Sequence, residues 1–173
     1  GETPAMIPWR TFLKRQVTAT EEVHIGLVGK YDLQDAYKSI RESLILAGIN
    51  NDKKTIITFI NSEFLTKENV EEKLAGQDGI LICPGFGTRG IEGKIVAAEF
   101  TRTHDIPTFG ICLGMQMMVI EFARNVLSLA DANSREMDEE TTHNVIDIME
   151  DQKNIRNMGG TMRLGAYSCE LRD

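Results

Sequence analysis

The sequence predicts a three-layer α/β domain, a mostly parallel sheet flanked by helices, and three observations predict it. Short apolar runs of strand length alternate with longer segments of helical period through the middle of the chain. Glycines and prolines punctuate the joins. The 173 residues suffice for one core-bearing domain, and 42% apolar against 26% charged residues fits a folded globular chain rather than a disordered one.

The domain opens near Val23, and residues 1–22, which lack clear periodicity, read as a linker. His24 to Gly29 is an apolar run that predicts a buried strand. Asp35 to Ala47 places Ala36, Ile40, Leu44 and Ala47 on one helical face, with Gly48 as the helix stop. Thr55 to Ile60 predicts a strand, Lys67 to Leu74 a helix, Gly79 to Cys83 a strand and Ile91 to Thr103 a helix. Pro107 to Ile111 is a further strand, and Met115 to Val126 a helix with its apolar residues at i, i+3, i+4, i+7 spacing. Strand and helix in strict succession imply parallel pairing, because a helical crossover returns the chain to the end of the sheet where the previous strand began. Ligands of such sheets gather at the carboxyl ends of the strands. Beyond Leu129 the acidic stretch Asp131 to Glu140 reads as a solvated loop, followed by a strand around Val145 to Met149. Ala166 to Leu171 reads as a last strand that stops abruptly at Asp173, so the domain is expected to be truncated at its C-terminal end.

Charge and cysteine usage narrow the function classes. A net charge of −7 repels nucleic acid phosphates and anionic lipid, so no nucleic acid and no membrane partner is expected. There is no apolar run of membrane-spanning length and no basic start followed by an apolar stretch. Cys83, Cys112 and Cys169 have neither the paired spacing of a metal site nor that of a disulfide framework, and a reducing cytoplasm fits them.

Gly110-Ile-Cys-Leu-Gly114 lies between a predicted strand and a predicted helix. This G-x-C-x-G is the cysteine form of a nucleophile elbow, in which a sharp turn lifts the central side chain clear of the sheet and glycines keep neighbours from crowding it. Cys112 then sits at a helix N-terminus, where the helix dipole and unpaired N–H groups favour a thiolate. The Leu113 N–H points to where an oxyanion develops during attack on an acyl carbon. The bland alternative is a buried structural cysteine between tight-turn glycines. Gly85-Phe-Gly-Thr-Arg-Gly90 matches the dinucleotide fingerprint in letters but not in place, since it follows the third strand of its unit and no acidic residue ends the next one. It reads better as a glycine loop on the neighbouring strand, with the Gly85 N–H as second oxyanion donor. No histidine is placed to serve as base: His24 begins the first strand, His104 ends a helix and His143 lies in the polar segment.

Gly110-Ile-Cys-Leu-Gly-Met-Gln116 resembles the nucleophile segment of class I glutamine amidotransferases. Val28-Gly-Lys-Tyr31, Asp35-Ala-Tyr-Lys-Ser-Ile40, Gly85 to Gly93, Glu121-Phe-Ala-Arg124, and Asn133-Ser134 with Glu136 resemble, in order and spacing, the glutaminase domain of CTP synthases. The resemblance runs from about Trp9 to Gly165 and implies a flavodoxin-like three-layer fold. It implies a ligase that hydrolyses L-glutamine at Cys112 through a thioester and passes ammonia to a separate N-terminal synthase domain, which aminates UTP to CTP in pyrimidine biosynthesis. Gly85 and Leu113 would form the oxyanion hole. Gly85, Leu113, Gly114, Met115, Gln116 and a buried Glu136 carboxylate, suited to the substrate ammonium, would bind glutamine. Phe86, Arg89 and Glu92 lie in the loop where a GTP effect is expected. ATP, Mg2+ and GTP are expected for the full-length enzyme, a homo-oligomer (tetramer), with no cofactor and no metal in residues 23–173.

Two departures stand out. The family usually has Pro-Gly-Gly-Phe-Gly where this chain has Cys83-Pro-Gly-Phe-Gly87, so a flexible glycine has become a proline of fixed φ. The family's His-x-Glu pair and a glutamine-binding arginine fall after Asp173, and the synthase domain before Gly1, so the chain alone is expected to be inert or nearly so. The rival readings are another elbow-cysteine hydrolase such as a γ-glutamyl peptidase, and a non-catalytic interaction domain of the same fold.

Overall fold

The computed structural model describes residues 6–31 and 35–148. Its centre is a four-stranded parallel sheet in the order β2-β1-β3-β4, built from β1 (Glu22–Gly29), β2 (Lys54–Asn61), β3 (Gly79–Ile82) and β4 (Thr108–Gly110). Alternation along the strands sends neighbouring side chains to opposite faces. Leu27 and Leu81 pack with Ile40 and Leu44 of α2 (Lys38–Asn50), while Val28, Ile80 and Ile82 pack with Leu74 of α3 (Val70–Leu74) and Ala97 and Ala98 of α4 (Ile91–Thr103). Helices on both faces make the three layers that the sequence predicts. α5 (Leu113–Asn125) lies beside α4, and Ile91, Ile95, Leu113, Met117 and Ile120 fill the seam between them. Across the outer end of that seam the buried Glu121 carboxylate takes both Nε and Nη2 of Arg102, at 3.0 and 2.7 Å. A bidentate grip of this kind compensates a carboxylate that burial would otherwise penalise.

The strand order fixes where a ligand can sit. From β1 the chain goes to one side for β2 and then to the other for β3, so the crossovers diverge between β1 and β3 and open a crevice at their carboxyl ends. Lys30 and Tyr31 leave β1 there, and the segment 83–90 leaves β3 beside them. A short two-stranded parallel pairing, β5 (Asn133–Ser134) with β6 (Asn144–Ile146), carries the loop 135–143 next to α5.

Three elements differ from the sequence reading. Residues expected as a linker form α1 (Ile7–Thr18), which buries none of its side chains and touches α2. Gly48 does not stop α2, which runs on to Asn50. The glycine is there for a close approach, since a Cβ would stand 2.1 Å from Thr55 Oγ1 on β2. The strand expected around Val145 to Met149 forms one residue earlier, as Asn144–Ile146. The strand expected over 166–171, the glycine run at 158–165 and Cys169 lie outside the described residues.

Candidate active site

β4 ends at the elbow. The Ile111 N–H donates to Ile82 O at 3.1 Å, holding the chain against β3, and the next residue turns sharply, with Cys112 at φ 52 and ψ −112. A residue with a Cβ avoids that region, so the surrounding structure must impose it. The Gly114 N–H donates to Ile111 O at 2.9 Å and the Gln116 N–H to Cys112 O at 3.1 Å, which starts α5 directly after the cysteine. Both glycines are sterically required. A Cβ on Gly110 would meet Met115 N at 2.6 Å, and one on Gly114 would meet Ile82 O at 2.0 Å. Cys112 is exposed while Leu113 and Gly114 are buried, so the turn leaves the cysteine open to solvent at the carboxyl end of β4, as an elbow does.

The glycine loop faces the elbow across Gly85. A Cβ there would meet Lys30 Cε at 2.8 Å, Leu113 Cδ2 at 3.5 Å and Tyr31 Cε2 at 3.6 Å, so three segments converge on one residue. Four of the loop's carbonyls and one of its N–H groups are held by side chains from beneath. Lys94 Nζ donates to Cys83 O at 2.5 Å, Tyr37 Oη to Pro84 O at 3.4 Å, and the Phe86 N–H to Tyr31 Oη at 3.3 Å. Lys30 Nζ donates to the carbonyls of Phe86 and Gly87, the second at 2.8 Å. The N–H groups of Gly85 and Leu113 donate to no other described residue.

Burial sets the charge behaviour of the groups beneath the loop. It brings the Lys94 ammonium down to about 8 and pushes the Cys83 thiol up to about 12. Lys30 is also lowered, by burial first and then by the Arg89 guanidinium, with Glu63 and Glu136 opposing. Burial likewise raises the Tyr37 hydroxyl.

The remaining sequence-predicted residues surround this centre. Met115 is exposed and Gln116 half-buried on the first turn of α5. Glu136 is exposed rather than buried, in the loop between β5 and β6, with its N–H donating to Ser134 Oγ at 3.3 Å. That loop is pinned at its base by Asp131. One of its carboxylate oxygens accepts from the Thr142 N–H and Oγ1, at 2.9 and 2.5 Å, and the other lies 2.5 Å from His143 Nδ1. These hydrogen bonds, Thr142's foremost, hold the Asp131 carboxyl well below the usual carboxylate range. Phe86 stands exposed at the loop tip, Arg89 pairs with Glu63 at 2.5 Å, and Glu92 on α4 pairs with Arg124 at 3.2 Å. The other histidines are engaged elsewhere: the His24 ring Nε2 lies 3.5 Å from the Glu22 carboxylate at the start of β1, and the His104 ring stacks on Phe100. Among the described residues no cluster of His, Cys, Asp and Glu is arranged to hold a metal, and no helix is long and apolar enough to cross a membrane.

Sequence reasoning missed the two buried lysines. Lys30 falls within a motif quoted only for its resemblance, and Lys94 falls in the apolar stripe of α4 with Ile91, Ile95 and Ala98. A charged residue on a face that otherwise buries is the signal that was there to be read.

A parallel α/β sheet with a cysteine elbow over a glycine loop is the architecture of an amidotransferase. The family model described as glutamine amidotransferase class-I matches residues 32–173, and the chain belongs to that family. Its similarity to particular relatives is narrower. It is 68% identical to the CTP synthase of Bacteroides thetaiotaomicron and 66% identical to that of Bacteroides fragilis, in each case over 99% of this chain and 32% of the relative. The chain thus spans about a third of the length of these curated relatives. Among solved structures it is similar to the Trypanosoma brucei CTPS glutaminase domain with bound acivicin, at 41% identity and a TM-score of 0.72, covering 76% of this chain and 52% of that one.

Proposed function

We propose that this chain is the glutaminase part of a CTP synthase, releasing ammonia from L-glutamine at Cys112. The observation that carries the reading is the pairing of a strained, exposed cysteine with two N–H groups, those of Gly85 and Leu113, that donate to no other described residue. The Cys112 sulfur attacks the side-chain amide carbon and the carbonyl oxygen becomes an oxyanion between these donors. The carbon–nitrogen bond then breaks, ammonia leaves with a proton from a general acid, and water cleaves the resulting thioester to glutamate. Met115 and Gln116 line the approach, and the Glu136 carboxylate receives the substrate ammonium. Glu136 is solvent-facing, which leaves its carboxylate accessible to an incoming ammonium.

Identity to CTP synthases along nearly the whole chain favours this reading over a γ-glutamyl peptidase or a non-catalytic domain. In the full protein the ammonia passes to a synthase domain, where UTP activated by ATP with Mg2+ is aminated. GTP would act through the loop that carries Phe86, Arg89 and Glu92, in a cytoplasmic homo-oligomer. Acivicin, bound by the Trypanosoma brucei neighbour, is a first ligand to try at the same site.

The test is Cys112→Ala in the full-length protein, assayed with glutamine and with ammonia as nitrogen source. Glutamine-driven CTP formation should fall at least about a thousandfold while ammonia-driven formation persists. Equal loss of both would make Cys112 structural and overturn the assignment.

A further inference from the structure

Lys94 lies in the first turn of α4, and its side chain is fully buried. Its ammonium donates to Cys83 O at 2.5 Å, and no carboxylate pairs with it among the described residues. The ionisable groups that act on it are the Cys83 thiol at the end of β3, Lys30 after β1 and the Cys112 thiol at the elbow. Near neutral pH it remains charged, because burial lowers it only to about 8. A buried ammonium without a carboxylate is a costly group to keep, and an apolar residue would fill the same space without that cost.

Its position suggests what the group does. The glycine loop leaves β3 at Cys83 and returns as the first turn of α4, so the contact from Lys94 to Cys83 O ties the loop's two ends together. Inside the tie sits Pro84, whose ring fixes φ. The Pro84 carbonyl is held by Tyr37 Oη at 3.4 Å, and in a trans peptide that carbonyl points opposite to the N–H of the next residue. With Cys83 O anchored on one side, φ of Pro84 fixed, and Pro84 O anchored beyond it, the Pro84–Gly85 peptide plane has little freedom left. Its N–H donates to no other described residue, and it belongs to the loop residue that packs against Leu113 of the elbow.

We propose that Lys94 is a positioning residue for amide hydrolysis: its ammonium locks the Cys83–Pro84 end of the loop so that the Gly85 N–H is already aimed where the oxyanion forms at Cys112. The proposal rests on the reading of Cys112 as nucleophile. Donors of this kind accelerate a reaction only when their orientation is set before the charge develops. A lysine serves because its long stem crosses the buried seam and its head supplies a charge-assisted hydrogen bond at the far end.

The experiment compares wild type, Lys94→Met and Tyr37→Phe in the full-length protein, following glutamine kcat and KM together with the rate at which iodoacetamide alkylates Cys112. Alkylation uses the same sulfur but forms no oxyanion, so it separates the loop from the nucleophile. For Lys94→Met the expected result is a kcat at least about tenfold lower, with KM within about twofold and an unchanged alkylation rate. Tyr37→Phe, which removes the neighbouring anchor, should move in the same direction by less. An unchanged kcat in Lys94→Met overturns the proposal, as does a parallel fall in kcat and alkylation, which would place the effect on the thiol. If Cys112→Ala retains glutamine hydrolysis, the nucleophile reading itself falls, a result distinct from either of these.

Discussion

Gly114 lies directly beneath Ile82, so close that a Cβ on the glycine would stand 2.0 Å from the Ile82 carbonyl oxygen. The same carbonyl accepts the Ile111 N–H, so the first turn of α5 and the end of β3 are pressed together at the point where the elbow turns. The obstacle is backbone on both sides and has no flexible side chain through which to yield.

Gly114→Ala should therefore destabilise the domain by at least about 2 kcal/mol, at the upper end of overpacking costs. The measurement is the urea midpoint of the purified variant, with glutamine hydrolysis alongside it. A variant of wild-type midpoint would mean that the elbow and β3 can separate without cost.

Electrophile labelling should distinguish the two described cysteines. Cys83 is buried and its thiol is pushed up to about 12, whereas Cys112 is exposed. Since the thiolate is the reactive form, a glutamine-analogue electrophile near neutral pH should modify Cys112 and leave Cys83 intact, as read by peptide mass spectrometry. Comparable modification of both would argue against the elbow geometry.

Lys94 predicts an unusual pH dependence of stability. Its folded value of about 8 lies below the ordinary 10.5, so between these values the unfolded chain binds the extra proton and stability contributed at this site rises with pH. Below about 8 the full burden of the buried charge is present, and it is relieved as pH climbs through the window, by a total on the order of 3 kcal/mol. Lys94→Met removes the titration. The stability difference between variant and wild type should shrink between about pH 7.5 and about pH 9.5. A pH-independent difference would show that Lys94 is not desolvated in the native state.

What was legible in the sequence was local. α4 occupies Ile91–Thr103 as its apolar spacing predicts, and the cysteine elbow is encoded in five consecutive residues whose glycines have unambiguous steric roles. Gly48 was misread because a helix-stopping glycine and one that admits a neighbouring strand look alike until Thr55 is placed against it. α1 escaped because its apolar residues, Ile7, Trp9, Leu13 and Val17, face outward and pack on no core. The loop's restraints were invisible for a related reason. Lys30 reaches the carbonyls of Phe86 and Gly87 across more than fifty residues of sequence, and only the parallel pairing of β1 with β3 brings them together.

The positive φ of Cys112 separates folding from chemistry at a single residue. The strain resides in the main chain, so alanine, serine and cysteine bear it almost equally and glycine escapes it. Selection for a sturdier fold would by itself drift this position toward glycine, and no stability measurement on side-chain variants can account for the sulfur. On the proposed reading of Cys112 as nucleophile, a cysteine here serves turnover and not stability, which makes this position a readout of whether a given descendant of the domain still performs hydrolysis or has become an inert scaffold.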